Sequence, residues 1–525
     1  MNRTQRFSRS IFSGYASTFV VAACSFASIY LSLRFLSIPQ FGLWALVFQI
    51  NGYLLLTDFG ISNAVGRFLM DWKDQRPSKK YGETFLAGLL ILFLQAGVLL
   101  SLSLAVVFWG PALFKIPQEL IPTFRFLVFG QALISAVFFP FRVFLFALVA
   151  YGRFDWINAS AALGQLTCVS GFAWGLQHGW GLPSYLLGSL MDALSSMSIL
   201  LIANQRLHLF PKISECVWLR FDSLLKLFHF GRDMFFILFG GRILFASQAI
   251  ILSRFAGLES VATWAVGSKM FFFCKDFGCQ IAQASGPLLI EIYTRGESLL
   301  ASKRLQNLAV LSGSFATILG SFLIVGNRPF VFWWTKGLIQ WESRVDVVLA
   351  LILMITCLFA VLCHVTGMTK DLATIRWVGF KESLLFLLFA CFLVRLLGIF
   401  GMVLAHLFAA CLISVPVLIS TVQKFNRRHN SAIHIVPSAF IRWAIVLFLA
   451  CFLSFTFTQK TNFLFLVLAA FFLICVSILL LAPLSLGILI PFLIGRLHLL
   501  PKSLHRFLRL LNKPPIRRVA KYFCL

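Results

Sequence analysis

The sequence has little charge and very little acid. Charged residues make up 12% of its 525 positions, and 18 Asp and Glu face 45 Lys and Arg. It lacks any long polar segment that could fold separately in water. Its 60% hydrophobic content and mean hydropathy of +0.91 exclude a soluble globular chain. Short alternating segments are missing, which excludes a transmembrane β-barrel. No Gly-rich phosphate loop followed by Lys-Ser/Thr occurs, so ATP hydrolysis by that route is excluded. There is no large loop with paired carboxylates or a His cluster, as an extracytoplasmic glycosyltransferase, polymerase or ligase would want. No catalytic residue, metal site or cofactor is therefore expected. The 12 cysteines show no metal or redox spacing. Cys24, Cys274, Cys363 and Cys451 fall inside apolar runs and read as small buried apolar residues.

What fills the chain is continuous apolar sequence. Its runs of about 18 residues or more can each cross a roughly 30 Å hydrocarbon core as a helix. The expected fold is an all-α polytopic membrane protein with about 14 transmembrane helices. The expected spans are 11–36, 42–70, 84–108, 122–149, 158–177, 184–203, 231–255, 260–290, 307–326, 345–366, 377–397, 402–423, 441–458 and 462–486. Val21-Ala22-Ala23-Cys24 faintly resembles a lipoprotein cleavage site, but the apolar run continues to Leu33, so an uncleaved first span is expected. Placing the N-terminus inside gathers most basic loop residues on one side, among them Lys73, Arg76, Lys79, Lys80, Arg206, Arg295, Arg427 and Arg428. Lys115, Arg328, Lys336, Arg344 and Lys460 are left outside. The positive-inside rule then puts both termini in the cytoplasm. The net charge of +27 is thereby explained as orientation and contact with anionic membrane lipid, and nucleic acid is not an expected partner. In the final tail, Leu504, Phe507, Leu508 and Leu511 share one helical face, as an interfacial helix would.

One stretch occurs twice. Arg34-Phe35 is followed by Trp44-Ala45 and Asp58-Phe59-Gly60, and Arg254-Phe255 by Trp264-Ala265 and Asp276-Phe277-Gly278. Trp, Arg and Asp are scarce letters here, so the match reads as an internal repeat. Copies offset by six spans keep the same orientation, giving parallel repeats about an axis along the membrane normal. The expected organisation is an N-lobe of six helices (1–203), a basic connecting loop (204–230) and a C-lobe of six helices (231–423). Two extra helices (424–495) and a basic amphipathic tail (496–525) follow.

Charge inside an apolar span costs about 2.5–3.5 kcal/mol on insertion scales, so it normally faces protein or water. Arg242 falls near the middle of span seven. In span eight, Lys269, Asp276, Gln280 and Gln283 share one helical face. Asn51, Asp58 and Ser62 form a polar stripe on span two, with Arg67 on the opposite side unless Gly60 or Gly66 bends the helix. Asp192 sits mid-span among serines. Arg34 and Arg254 lie near span ends, where snorkelling is the default reading. The candidate cavity residues are Arg242, Lys269, Arg34, Arg254 and Arg67. The coupling or polar-stripe candidates are Asp58, Asp276, Asn51 and Asp192. Each acid can equally be a neutralising ion-pair partner.

The segment FGLWALVFQINGYLLLTDFGISNAVGRFL, Phe41 to Leu69, resembles the second-helix region of Wzx-type polysaccharide and O-antigen flippases. These belong to the multidrug/oligosaccharidyl-lipid/polysaccharide (MOP) exporter superfamily, whose larger members include the lipid II flippases. The resemblance implies alternating access between two lobes in the bacterial inner membrane. It also implies a polyprenyl-pyrophosphate-linked oligosaccharide as cargo, a lipopolysaccharide, capsule or exopolysaccharide repeat unit. Polysaccharide polymerase and assembly proteins are the implied partners, and proton, sodium and membrane potential stay open as the coupling. Arg and Lys suit pyrophosphate in a low-dielectric site. A drug/cation antiporter on the same fold is the alternative and would want an acidic cavity. A membrane-embedded enzyme of glycan assembly is a further alternative.

Overall fold

The computed structural model describes residues 3–215, 221–369, 372–429 and 437–457. Among the described residues there are sixteen α-helices and no strand. The first eight are α1 Arg3–Phe35, α2 Ile38–Leu54, α3 Ile61–Trp72, α4 Lys79–Leu113, α5 Ile121–Phe138, α6 Arg142–Ala150, α7 Phe154–Gln177 and α8 Ser184–Arg206. The rest are α9 Phe221–Gly267, α10 Lys269–Thr294, α11 Ser298–Trp334, α12 Ser343–Leu362, α13 His364–Thr369, α14 Leu372–Ala409, α15 Val415–His429 and α16 Pro437–Phe457. Eight described stretches are long and apolar enough to cross a membrane, and the bent pair α2 and α3 makes a ninth. The expected span 462–486 and the amphipathic tail lie outside the described residues.

Several spans expected as single helices are broken, each for a local reason. Span 42–70 turns at Phe59 (φ 45°) and Gly60 (φ 74°), and its halves meet at 45°. Span 122–149 divides into α5 and α6 around Pro140, which has no N–H to give a helix. Span 260–290 begins inside α9 and restarts as α10 at Lys269. Gly398 by contrast kinks α14 in the gap expected between spans 377–397 and 402–423, at φ 58° and ψ −133°, a conformation that suits only glycine.

The repeat has local structural counterparts. The first copy breaks at Ser37, whose side chain caps α2 in a reciprocal box with Gln40. The second breaks at Gly257 (φ 83°), which stands three residues past Arg254 as Ser37 does past Arg34. α4 and α11 each carry an internal proline, Pro111 and Pro329, and each is followed two residues past its end by a lysine at φ 52°, Lys115 and Lys336. The Asp-Phe-Gly copies diverge, because α10 runs unbroken through Asp276–Gly278.

The chain divides into two compact units: one of residues up to Val266 with Gly379–Met402, the other of Gly267–Val378 with the described residues from Val403. In the first, α7 packs on α8 and α1, and α4 on α5 and α3. Trp44 of the repeat stacks on Tyr185 at 4.1 Å, and Tyr185 on Phe172 at 4.2 Å. The Tyr185 hydroxyl is hydrogen-bonded to Ser32, so the polar tip of this buried ring is satisfied. In the second unit α11 packs on α10, α12 and α16. There Trp443 of α16 is fully buried, because Gly313 leaves room for its ring, and its Nε1 donates to Ser314 Oγ at 3.1 Å.

Between α3 and α4 the first unit holds a polar dock. Arg76 donates to both Glu215 carboxylate oxygens (3.1 and 2.8 Å) and to the His208 and Phe210 carbonyls (2.7 Å each). Its guanidinium lies 4.2 Å from the Tyr81 ring centroid. The Ser78 and Lys212 N–H groups complete the Glu215 shell at 2.9 and 2.8 Å. Burial opposes ionisation of Glu215, but the hydrogen bonds from Arg76, Lys212 and Ser78 and the Arg76 charge outweigh it and hold the carboxyl at about 2. Gly82 is required beneath this dock, since a Cβ there would stand 2.1 Å from the Glu215 carbonyl oxygen.

Candidate functional site

Helix α2 passes into a single 3-10 turn, Leu55–Asp58, before the chain reverses its local hand at Phe59 and Gly60. Restarting a helix leaves its first N–H groups without partners. Asp58 supplies one: its Oδ1 accepts from the Ser62 N–H at 3.1 Å and from Ser62 Oγ at 2.7 Å. Gln95 of α4 donates to the Asp58 carbonyl at 3.2 Å. Asp58 itself is buried.

The second broken span brings Arg142, the first residue of α6, to the same place. Its Nη1 stands 3.8 Å from Asp58 Oδ2, too far for a hydrogen bond, so charge is balanced while the donors stay free. Nη1 is buried without a hydrogen-bond partner, as are Gln95 Oε1 and Gln131 Oε1 of the same unit. The arginine side chain is 36% exposed and lies 5.2 Å from the Phe139 ring centroid. A guanidinium offers five donors in a fixed fork that matches phosphate oxygens. Held beside a carboxylate that neutralises it without occupying it, this one is equipped to receive an anion.

The residues expected from sequence are distributed more widely. Asn51, seven residues before Asp58, turns to α5, where its Oδ1 accepts from Ser135 Oγ at 2.9 Å. Arg67 is exposed and pairs with Asp71 one turn on. Arg34 is exposed beside Phe35, and Arg254 is half-buried. Arg242 lies on α9, and its side chain is outside the described set. In the second unit Lys269 opens α10, half-buried, within the field of Asp276. Asp276 is exposed and paired with Lys275 at 3.2 Å. Asp192 of α8 is half-buried and accepts from Ser196 Oγ at 3.1 Å and Gln165 Nε2 at 3.5 Å. It lies against Gly164 of α7, where a Cβ would stand 2.1 Å from Oδ1.

Sequence reasoning missed Arg142, Gln95 and Gln131. For Arg142 the signal was present: a charge two residues after Pro140 inside an apolar span. Gln95 and Gln131 carry no such mark, because single amides in apolar helices are common. The candidate site is therefore Asp58 and Arg142 at paired helix breaks, supported by Ser62 and Gln95.

No protein-family model matches the sequence, and no curated protein matches it. Solved structures do. The lipid II flippase MurJ, in an inward closed conformation, superposes with a TM-score of 0.68 at 15% identity, over 93% of this chain and 98% of that one. An inward-facing multidrug resistance MATE family transporter of the MOP superfamily gives 0.60 at 10% identity, over 78% and 94%. A mutant of the Vibrio cholerae MATE transporter VcmN gives 0.54 at 13% identity, over 81% and 98%. At these identities the likeness establishes the fold: a multi-pass, all-helical chain with the architecture of MOP-type flippases and transporters.

Proposed function

We propose that the protein is a flippase that carries a polyprenyl-pyrophosphate-linked oligosaccharide from the cytoplasmic to the outer leaflet of a bacterial inner membrane by alternating access. The observation that carries this reading is Arg142, a partly exposed guanidinium with a buried unpartnered donor at a pair of broken membrane helices. Broken helices in transporters place free backbone and side-chain groups where cargo binds. A pyrophosphate would take the free Arg142 donors, with Asp58 holding the guanidinium in place. The other basic candidates, Arg242, Lys269, Arg34, Arg254 and Arg67, would add positive potential along the cargo's path. Nearly full-length likeness to a lipid II flippase supports the same class. Asp192 favours the second reading, a cation antiporter, because its carboxyl has no Lys or Arg within 4 Å among the described residues.

Expression in a strain lacking the gene separates the two. The flippase reading expects surface glycan to return, and unchanged resistance to cationic drugs. Drug resistance without surface glycan would favour antiport. Within the same assay, Arg242→Glu is expected to abolish glycan, Arg242→Ala to lose most of it and Arg242→Lys to keep part. Normal glycan from well-expressed Arg242→Glu would show that this arginine is structural.

The proposed orientation has both termini cytoplasmic. A cysteine at Lys115 or Lys336 is expected to react with an impermeant thiol reagent from outside, and one at Lys79 or Arg427 to stay unlabelled. The reverse pattern would overturn the orientation.

A further inference from the structure

At the junction of α11 and α12 in the second unit lies a carboxyl that the cargo site does not use. Asp346 is fully buried, as is Asn327. Asp346 Oδ1 accepts two hydrogen bonds, from Asn327 Nδ2 at 2.7 Å and from Trp341 Nε1 at 2.9 Å. Its Oδ2 accepts none, and neither does Asn327 Oδ1, although both atoms are sealed from solvent. Asn327 Nδ2 also donates to the carbonyl of Gly267, the last residue of α9, at 2.9 Å. The Trp341 ring closes over that glycine, where a Cβ would stand 1.9 Å from a ring atom.

An ionised carboxylate here would be expensive. Buried charge is tolerated when it is paired, and Asp346 makes no ion pair among the described residues. Exposed Arg328, next to Asn327 on α11, is the charged group whose field reaches it. Two acceptors lack a donor, on side chains already joined by the Asn327 Nδ2 to Asp346 Oδ1 hydrogen bond. Neither has room beside it for a water molecule, and a sodium ion also needs space and several further oxygens. A proton needs no space, and one proton satisfies both acceptors.

We infer that Asp346 is a bound-proton site: its carboxyl is neutral, carries the proton on Oδ2 and donates it to Asn327 Oδ1. The proton comes from water and returns to it, the carboxylate gaining and losing one H⁺ with no other bond changed. Loading closes an acid–amide pair in which Asn327 also grips the α9 carbonyl at the break before Lys269 opens α10. Unloading leaves Asp346 charged with both its donors on one oxygen, which favours parting of the α11–α12 junction from that break. The site thus links a proton to the helix break beside one of the basic cargo candidates.

The test uses the full chain in maltoside micelles, which carry no carbonyl of their own. The infrared spectrum of wild type minus Asp346→Asn at pH 7 is expected to show a protonated-carboxyl C=O stretch. Thermal stability is expected to be equal in sodium chloride and choline chloride. Carboxylate bands in that difference spectrum would overturn the assignment. So would a sodium-specific stabilisation lost in Asp346→Asn. Should Asp346→Asn fail to accumulate, Asn327→Leu serves: the carboxyl band must move as its partner is lost, and an unmoved band overturns the assignment.

Discussion

Arg142→Glu is expected to abolish surface glycan in a strain lacking the gene, with glycan scored against the protein level in the membrane. The substitution places a second carboxylate beside Asp58, 3.8 Å from where the guanidinium stood, and repels an anionic cargo. Arg142→Ala removes the proposed charge-assisted contact, worth about 1.5–3 kcal/mol, a roughly tenfold to hundredfold expected loss of cargo affinity. Arg142→Lys keeps charge but loses the planar fork, so partial activity is expected. A structural role would have a different signature. If Arg142 serves only to neutralise Asp58, the double variant Asp58→Asn with Arg142→Gln has nothing left to neutralise and should regain activity. The cargo-binding reading expects that double variant to stay inactive at normal membrane level, and its recovery would refute a role in cargo binding.

The second large effect is on stability. Arg76→Ala strips a guanidinium that bonds Glu215 and two carbonyls, and leaves Glu215, whose side chain is 1% exposed, as an unpaired buried charge. Breaking such a pair from one side costs about 3–5 kcal/mol, enough to release the 208–215 segment from the end of α4. The expected result is a markedly lower melting temperature and new protease sensitivity in that segment. Glu215→Gln is expected to be milder and to change the pH dependence. Glu215 has its carboxyl depressed from 4.5 to about 2, so its contribution is complete above about 4.5 and is lost as pH falls towards 2. The stability difference between wild type and Glu215→Gln should therefore shrink over that window. A difference independent of pH would show that Glu215 acts through packing alone.

Much of the architecture was legible because a bilayer demands it. Long apolar runs must become helices, so the fold class followed from hydropathy and scarce charge. Rare letters mark the two copies of the Arg-Phe and Trp-Ala pattern, and the helix breaks at Ser37 and Gly257 stand three residues past the arginine in each. The breaks within spans were less legible. Asp58-Phe59-Gly60 and Asp276-Phe277-Gly278 have the same letters and opposite outcomes. The first copy breaks where Asp58 Oδ1 accepts from the exposed Ser62 N–H and Gln95, from another helix, donates to the Asp58 carbonyl. Such tertiary support leaves no periodic trace. The candidate site is half legible for the same reason: Asp58 belongs to a visible polar stripe, while its partner Arg142 lies within a span that reads as continuous. Asn51 fell on the expected stripe by spacing but turns to Ser135, since a helix face in a bundle meets several neighbours.

The most direct test of cargo transport uses the purified chain reconstituted into liposomes carrying a fluorescent polyprenyl-pyrophosphate oligosaccharide in both leaflets, with an impermeant reagent that quenches the outer pool. Wild-type protein is expected to make the inner pool reachable over time, and Arg142→Glu to leave it protected at equal reconstitution. Protection by well-reconstituted wild type, or equal exposure with Arg142→Glu, would contradict the proposed cargo transport.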